Sequence, residues 1–385
     1  RPRLLMRPRK ETREPDHQHL VPYFSMNPVN DQRTHVIVLF GGESAEHDVS
    51  CVTAAHVLRA LDPNRYRITA VGITRIGKWV LATEATKALA AGPSQIPERL
   101  AAEGEPTSIT PIIERARSDE HTVVIPLLHG PMGEDGTVQG VLELANVAYV
   151  GSGVLGSAVA MDKAVAKQLL AANHIAQADY VSLRDGSVTG AAIGEAIERL
   201  GLPLFVKPAN MGSSIGVSKA RTLDEVRSAI THALAYDEWV LLEEAVAGRE
   251  IEVAILGNRE PRASVPGEII PSHEFYDYED KYLVDGAALV VPARLGFELT
   301  REVQEQALRI FRILRAEGMA RVDFFYEENG RGFLCNEINT IPGFTPISMY
   351  PKLWQASGLT YSQLLDELIS LALERHARRR RNTQR

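Results

Sequence analysis

At 385 residues, 45% hydrophobic and 24% charged, the chain exceeds one ordinary core and has the balance of a globular protein rather than a fibrous or disordered one. A net charge of −7 gives no electrostatic ground for nucleic-acid binding by the folded body, and no apolar stretch approaches the roughly 20 residues that span a bilayer. Cys51 and Cys335 lie far apart in apolar runs, which suits reduced thiols in the cytoplasm better than a disulfide framework.

Residues 1–33 are polar, Pro-bearing and aperiodic, so a floppy extension is expected there. Apolar runs then alternate with helical periodicity, the pattern of an α/β protein. Residues 35–42 (HVIVLFGG) read as a buried strand ending in a Gly-rich turn, followed by a helix at 49–61 and a strand at 66–74. A strand at 121–128 and a helix at 137–146 complete a first unit, 34–153, resembling a small doubly wound domain. A second unit, 154–247, is expected to hold a helix at 161–173, strands at 203–207, 215–219 and 239–243, and a capping box at Thr222 and Glu225. A third, 248–374, is expected to hold strands at 250–256 and 288–292, a helix at 302–317, strands at 320–326 and 332–339, and a helix from about 361. Residues 375–385, with Arg378 to Arg381, read as a solvated basic tail.

The most informative segment is ARVDFFYEENGRGFLCNEINTIPG, residues 320–343. Side chains two apart on a strand share a face, so Arg321 aligns with Asp323, and Glu337 with Asn339. If the two faces coincide, a guanidinium, two carboxylates and an amide meet, a set of hard donors suited to Mg²⁺ against nucleotide phosphates. A strict two-residue turn at Asn329-Gly330 would pair Asp323 with Asn336 and turn Glu337 away. The metal reading therefore requires an odd connection, such as a three-residue loop with Gly330 left-handed.

FVKPANMGSSIGVSK sets Ser213 and Ser214 between Gly212 and Gly216, where N–H groups and hydroxyls can fold over an anion. Lys207, at a strand end, and Lys163, at a helix start, offer phosphate partners. In EWVLLEEAVAGREIEVAIL, the carboxylates Glu243, Glu244 and Glu250 cluster at a strand end and could accept from an adenine amino group and ribose hydroxyls; alone, they would read as solvated charges. Glu46, in the loop before a helix, can hold an ammonium group or cap the helix. His129 ends a strand beside the Gly-rich GEDG turn, a position open to a structural or a functional role.

Together, GGESAEHDVS, LHGPMGEDGTVQG, MDK, VKPANMGSSIGVSK, FYDYEDKYL, ARVDFF and NEINTIPGFTPISMYPKL resemble the D-alanine–D-alanine ligase family from about residue 35 to 373. The resemblance implies a three-domain ATP-grasp enzyme, α/β at its N-terminus and α+β in its ATP-binding part. Its implied activity joins two D-alanine molecules through an acyl phosphate, for peptidoglycan synthesis in the bacterial cytoplasm. ATP and two Mg²⁺ (or Mn²⁺) are implied, with room for a K⁺ requirement, a homodimer, and neither nucleic acid nor membrane as partner. Carried over by position, Glu46 and His129 attend the first substrate, and Ser213 joins Glu46 and Tyr282 in an orienting network. Arg321 and the Gly343 N–H face the oxyanion. Asp323, Glu337 and Asn339 ligate metal, and Lys163, Lys207 and Lys281 contact phosphates. Ser214, Glu243, Glu244, Ala245, Val246, Glu250, Phe325 and Asn336 complete the nucleotide site, and Ser348 and Met349 line the second subsite. Residues 271–289 are the expected lid.

Rival readings share parts of this pattern. D-lactate-using relatives typically have His where Tyr282 stands, and D-serine-using ones a larger polar residue at Met349, so both positions favour D-alanine. Other ATP-grasp ligases would lack Glu46 and the lid. A nucleotide-sensing module would lack Arg321 or a metal ligand, and a nicotinamide dehydrogenase would need the third Gly that LFGGES lacks.

Overall fold

A computed structural model describes residues 33–110, 121–271 and 288–379. The first sheet grows from β1 (Thr34–Gly41), which leads into α1 (His47–Ala60). It continues with β2 (Tyr66–Ile73), β3 (Trp79–Ala82), α2 (Thr83–Ala91), β4 (Gly104–Pro106), β5 (Thr122–Pro126), α3 (Thr137–Ala145) and β6 (Ala148–Tyr149). The strand order is β4-β3-β2-β1-β5-β6, with β2, β1, β5 and β6 parallel. Alternation along β1 explains the double winding. Val36, Val38 and Phe40 pack with Cys51, Ala54 and Leu58 of α1, whereas Ile37 and Leu39 join Val138 and Leu142 of α3 in a separate core.

Two helices follow, α4 (Val154–Met161) and α5 (Lys163–Ala172), where one helix at 161–173 was expected. Asp162 breaks them apart by capping α5, its side chain accepting from the Val165 N–H at 2.9 Å.

The second sheet comprises β7 (Tyr180–Arg184), β8 (Leu204–Pro208), β9 (Ser218–Ala220) and β10 (Trp239–Glu244), with α6 (Gly190–Leu200) and α7 (Leu223–Ala233) on one face. Its order is β7-β10-β8-β9. Leu204, Val206, Val240 and Leu242 pack under the helices. Period-two alternation therefore turns Phe205, Lys207, Leu241 and Glu243 to the opposite face. Strand β9 begins at Ser218, later than the expected 215, because Ser213, Ser214 and Gly216 have φ of 50°, 58° and 73°, and left-handed turns cannot continue a ladder. Thr222 caps α7 by accepting from the Glu225 N–H at 3.2 Å. The box does not close, since the Glu225 carboxylate accepts from the N–H of Arg221, not of Thr222.

The third sheet contains β11 (Arg249–Gly257), β12 (Arg262–Ala263), β13 (Gly267–Ile270), β14 (Ala288–Val290), β15 (Gly318–Glu327) and β16 (Gly332–Asn339). The path is β14-β13-β11-β15-β16, with β12 beside β11. Helix α8 (Phe297–Ile313) covers one face through Val303, Ala307 and Ile310, packed on Ile251, Val253, Val322 and Phe324. It ends before the expected residue 317 because Arg315 adopts φ 56°. The other face of this sheet carries Glu250, Glu252, Arg321 and Asp323.

Helices α9 (Met349–Ala356) and α10 (Tyr361–Arg379) close the described chain. The expected solvated tail is helical through Arg379. Arg375 is buried over the Tyr149 ring at 3.9 Å, Arg378 pairs with Glu317 and Glu374, and Arg379 pairs with Glu143 and Glu317. These partners come from distant segments, which composition alone cannot reveal.

Candidate active site

The inner faces of the second and third sheets bound a cavity of about 770 Å³. Lys163, Lys207, Ser213, Ser214, Glu243, Glu244, Ala245, Val246, Glu250, Arg321, Asp323, Phe325, Asn336 and Glu337 line it. Nearly the whole expected nucleotide set therefore converges. Tyr282 and Lys281, with most of the expected lid, lie outside the described residues.

The β15–β16 hairpin resolves the parity problem in a way the sequence reading did not foresee. At its turn end the connection has the even parity that turns Glu337 away, with Glu327 opposite Gly332. Between Asp323 and Phe324 the register shifts, so Asp323 faces Glu337 while Phe324 faces Cys335. Asn336 is the extra residue of a β-bulge. The expected left-handed Gly330 is a correction too, since φ is positive at Gly332 (76°) instead. The bulge puts Arg321 opposite Asn339 and Asp323 opposite Glu337, with Glu252 on the other side of Asp323.

On this face Arg321 grips Asp323 with two hydrogen bonds of 2.7 Å and meets Glu252 at 2.9 Å. Asn339 donates to Asp323 Oδ2 at 3.0 Å. Burial works against the Arg321 charge, but Asp323 and Glu252 outweigh it and hold its pKa well above the ordinary range. Lys163, first residue of α5, reaches Met211 O at 2.6 Å and Glu337 Oε2 at 3.5 Å. Two carboxylates and an amide suit Mg²⁺, which takes one or two protein carboxylates and completes its shell with phosphate and water. Among the described residues no cluster of three or more His, Cys, Asp or Glu could hold a metal alone.

Glu243 was expected to accept from adenosine. Its carboxylate is instead clamped between Lys167, at 2.5 Å, and Lys207. Burial raises its pKa, but the two lysines prevail and hold it at about 2. Lys207 also lies 3.4 Å from Asn336 Oδ1. The Glu244 carboxylate accepts from the Asp179 N–H and from Arg331, so only the rest of the residue is available to the cavity. Lys167 was missed by the sequence reading. The signal for it was its position one turn after Lys163 on the same helix face.

Beyond the cavity lining, Ser213 donates a hydrogen bond to Glu46 and so ties the first sheet's loop to the Gly/Ser loop. Glu46 precedes α1 but makes no side-chain cap bond, so its buried carboxylate is not a helix cap. His129 is buried, which pushes its pKa down against the pull of Glu46, and its Nε2 has no hydrogen-bond partner among the described residues. Glu134, also missed, accepts from the Gly130 N–H at 2.8 Å. Gly343 abuts Ser348: a Cβ there would sit 3.1 Å from Ser348 Oγ. Ser348 Oγ is 2.8 Å from Thr345 Oγ1. Met349 was expected at the same opening, but it is 5% exposed and packs against Gly267 within the apolar core.

Two sheets closing on a lysine- and carboxylate-lined cavity, beside a doubly wound domain, are the architecture of the ATP-grasp class. Residues 35–152 match the family described as the D-ala D-ala ligase N-terminus, and residues 169–370 match its C-terminus. The chain is 45% identical over 357 residues to the D-alanine–D-alanine ligase of Geobacillus thermodenitrificans (strain NG80-2), covering 89% of this chain and 96% of that protein. Its fold is similar to the D-alanine-D-alanine ligase from Coxiella burnetii, with TM-score 0.75, 35% identity and coverage of 90% and 95%. It is equally similar to the VanG D-Ala:D-Ser ligase from Enterococcus faecalis, with TM-score 0.76, 36% identity and coverage of 89% and 100%. The chain belongs to the D-alanine–D-alanine ligase family.

Proposed function

We propose that this protein joins two D-alanine molecules into D-alanyl-D-alanine with ATP, through a D-alanyl phosphate, for peptidoglycan synthesis in the bacterial cytoplasm. The observation that supports this reading is the Ser213–Glu46 hydrogen bond, which ties a buried carboxylate to the loop of a lysine-lined cavity. Residues 34–153 would serve the first substrate, and 154–247 with 248–374 would enclose the nucleotide. A homodimer is part of the same reading.

Lys163, Lys207 and the Ser213–Ser214 loop hold the phosphates, with Lys281 joining them. Glu250, Phe325 and the backbone from Glu243 to Val246 hold the adenosine. Asp323, Glu337 and Asn339 would hold Mg²⁺ or Mn²⁺, which supplies charge neutralisation at the transferring phosphoryl group. Glu46 fixes the first ammonium, leaving its carboxylate to attack the γ-phosphate as ADP departs. The second alanine, its carboxylate near Ser348, attacks the resulting carbonyl with its neutral amine. Arg321 and the Gly343 N–H stabilise the oxyanion before inorganic phosphate leaves.

The test is phosphate release from ATP with D-alanine, L-alanine, D-serine and D-lactate, alone and in pairs. Release with D-alanine alone, giving dipeptide, supports the reading. Release only when D-serine is added favours the second reading, prompted by the likeness to the VanG enzyme. Tyr282→His should shift product toward D-lactate as pH falls, because imidazolium repels the ammonium form in which the second D-alanine arrives and spares the neutral hydroxyl of D-lactate.

A further inference from the structure

Glu134 is a buried carboxyl group that the mechanism above does not use. It sits in the turn between β5 and α3, and its Oε1 is fixed by the Gly130 N–H at 2.8 Å. Glu46 reaches the same spot from the loop before α1. Gly212 marks the meeting point: a Cβ there would sit 3.2 Å from Glu46 Oε2 and 3.7 Å from Glu134 Oε1. Neither carboxylate meets a lysine or arginine at ion-pair distance among the described residues. A glycine between two inward-facing carboxylates leaves space for a small cationic group.

We propose that Glu134 is the second carboxylate for the ammonium group of the first amino-acid substrate, sharing it with Glu46 across Gly212, and that seating the ammonium expels a proton that Glu134 otherwise holds. The proposal rests on the alanine-ligase reading. It also explains how an acid without a cation can stay buried: uncharged, it avoids the desolvation cost of a carboxylate.

The electrostatics around the group agree with the geometry. Burial, and then the nearby Glu46, push the Glu134 carboxyl up to about 8. The Gly130 N–H and Lys163, from the first turn of α5, pull it down, and Glu337 of β16 pushes it up. His129, on the same turn, is held toward its neutral form by burial and adds little positive charge. An ammonium arriving between Glu46 and Glu134 reverses the balance and favours the ionised form of both. The Glu134 O–H bond breaks, the electron pair stays on the carboxylate, and the proton passes to solvent. Affinity for the ammonium should therefore rise with pH up to about 8 and level off above it.

The experiment is calorimetric titration of D-alanine into the full chain with a non-hydrolysable ATP analogue, at pH 7, in buffers of different ionisation enthalpy. The expected result is close to one proton released per alanine bound by the wild type. Glu134→Gln should release none and should bind roughly tenfold more weakly. Glutamine keeps the acceptor for Gly130 N–H, so the turn should persist. Difference infrared spectra of the wild type should lose a protonated-carboxyl band on adding alanine. Alanine heat without proton release, a variant that still releases the proton, or a band that survives would overturn the proposal alone. Absence of any alanine heat would overturn the ligase reading and this inference with it.

Discussion

The two ends of the site treat charge in opposite ways. Along the second and third sheets the protein supplies its own counter-ions: Glu243 lies between Lys167 and Lys207, and Asp323 is gripped by Arg321. Beside the first sheet, Glu46 and Glu134 are buried with hydroxyl and N–H donors but no lysine or arginine at ion-pair distance among the described residues. On the proposed reading, the first end suits an anion that arrives with its own metal. On the same reading, the second is completed by the cation that enters. Buried charge without a partner is costly, so on the proposed reading the contrast assigns the nucleotide to the first end and the substrate ammonium to the second.

Breaking the first end should have the largest effects. Glu337→Gln should reduce turnover by orders of magnitude with the melting temperature little changed, since it removes one of the two carboxylates proposed to hold the metal; phosphate-release kinetics at saturating substrates would check this. Arg321→Ala should lower kcat by about 10²–10³ while KM moves little. It should also lower stability in denaturant, because Glu252 loses the guanidinium that meets it at 2.9 Å.

Lys167→Met would test the lysine clamp away from the reacting atoms. Losing one partner of a buried pair costs about 3–5 kcal/mol, and the lower end is expected because Lys207 still faces Glu243. Urea unfolding would report the stability, and a raised KM for ATP would report misplacement of Lys207.

The pH dependence of stability should have opposite slopes at the two ends. Glu243 is depressed from 4.5 to about 2, so its contribution is present above 4.5 and is lost as pH falls toward 2. Glu134 is raised from 4.5 to about 8, so the unliganded protein should lose stability as pH rises across that interval. Glu134→Gln should flatten the second slope and leave the first intact, as denaturant midpoints at stepped pH would register. The smallest effect lies outside the comparison: Thr222→Ala removes the cap of α7 and should cost about 1 kcal/mol with unchanged kinetics.

Much of this arrangement was legible in residue order. The unbroken apolar run of β1 signalled a strand buried on both faces, because a parallel strand covered by two helices has no polar side to show. Strand parity put Arg321 with Asp323 and Glu337 with Asn339, and the glycines and serines of 212–216 signalled a loop, though not the left-handed turns that delay β9 to Ser218. Parity within one strand is local, a consequence of backbone geometry alone. Whether two such faces coincide depends on register, and register here turns on one bulged residue, Asn336, whose effect appears only once two strands pair. The clamp on Glu243, the pairing of Arg378 with Glu317 and the approach of Glu134 to Glu46 were illegible for the same reason. Sequence determines which charges exist and which way each local element turns them. Only tertiary packing brings residues far apart in the chain close enough, in a medium of low enough dielectric, for one charge to decide the state of another.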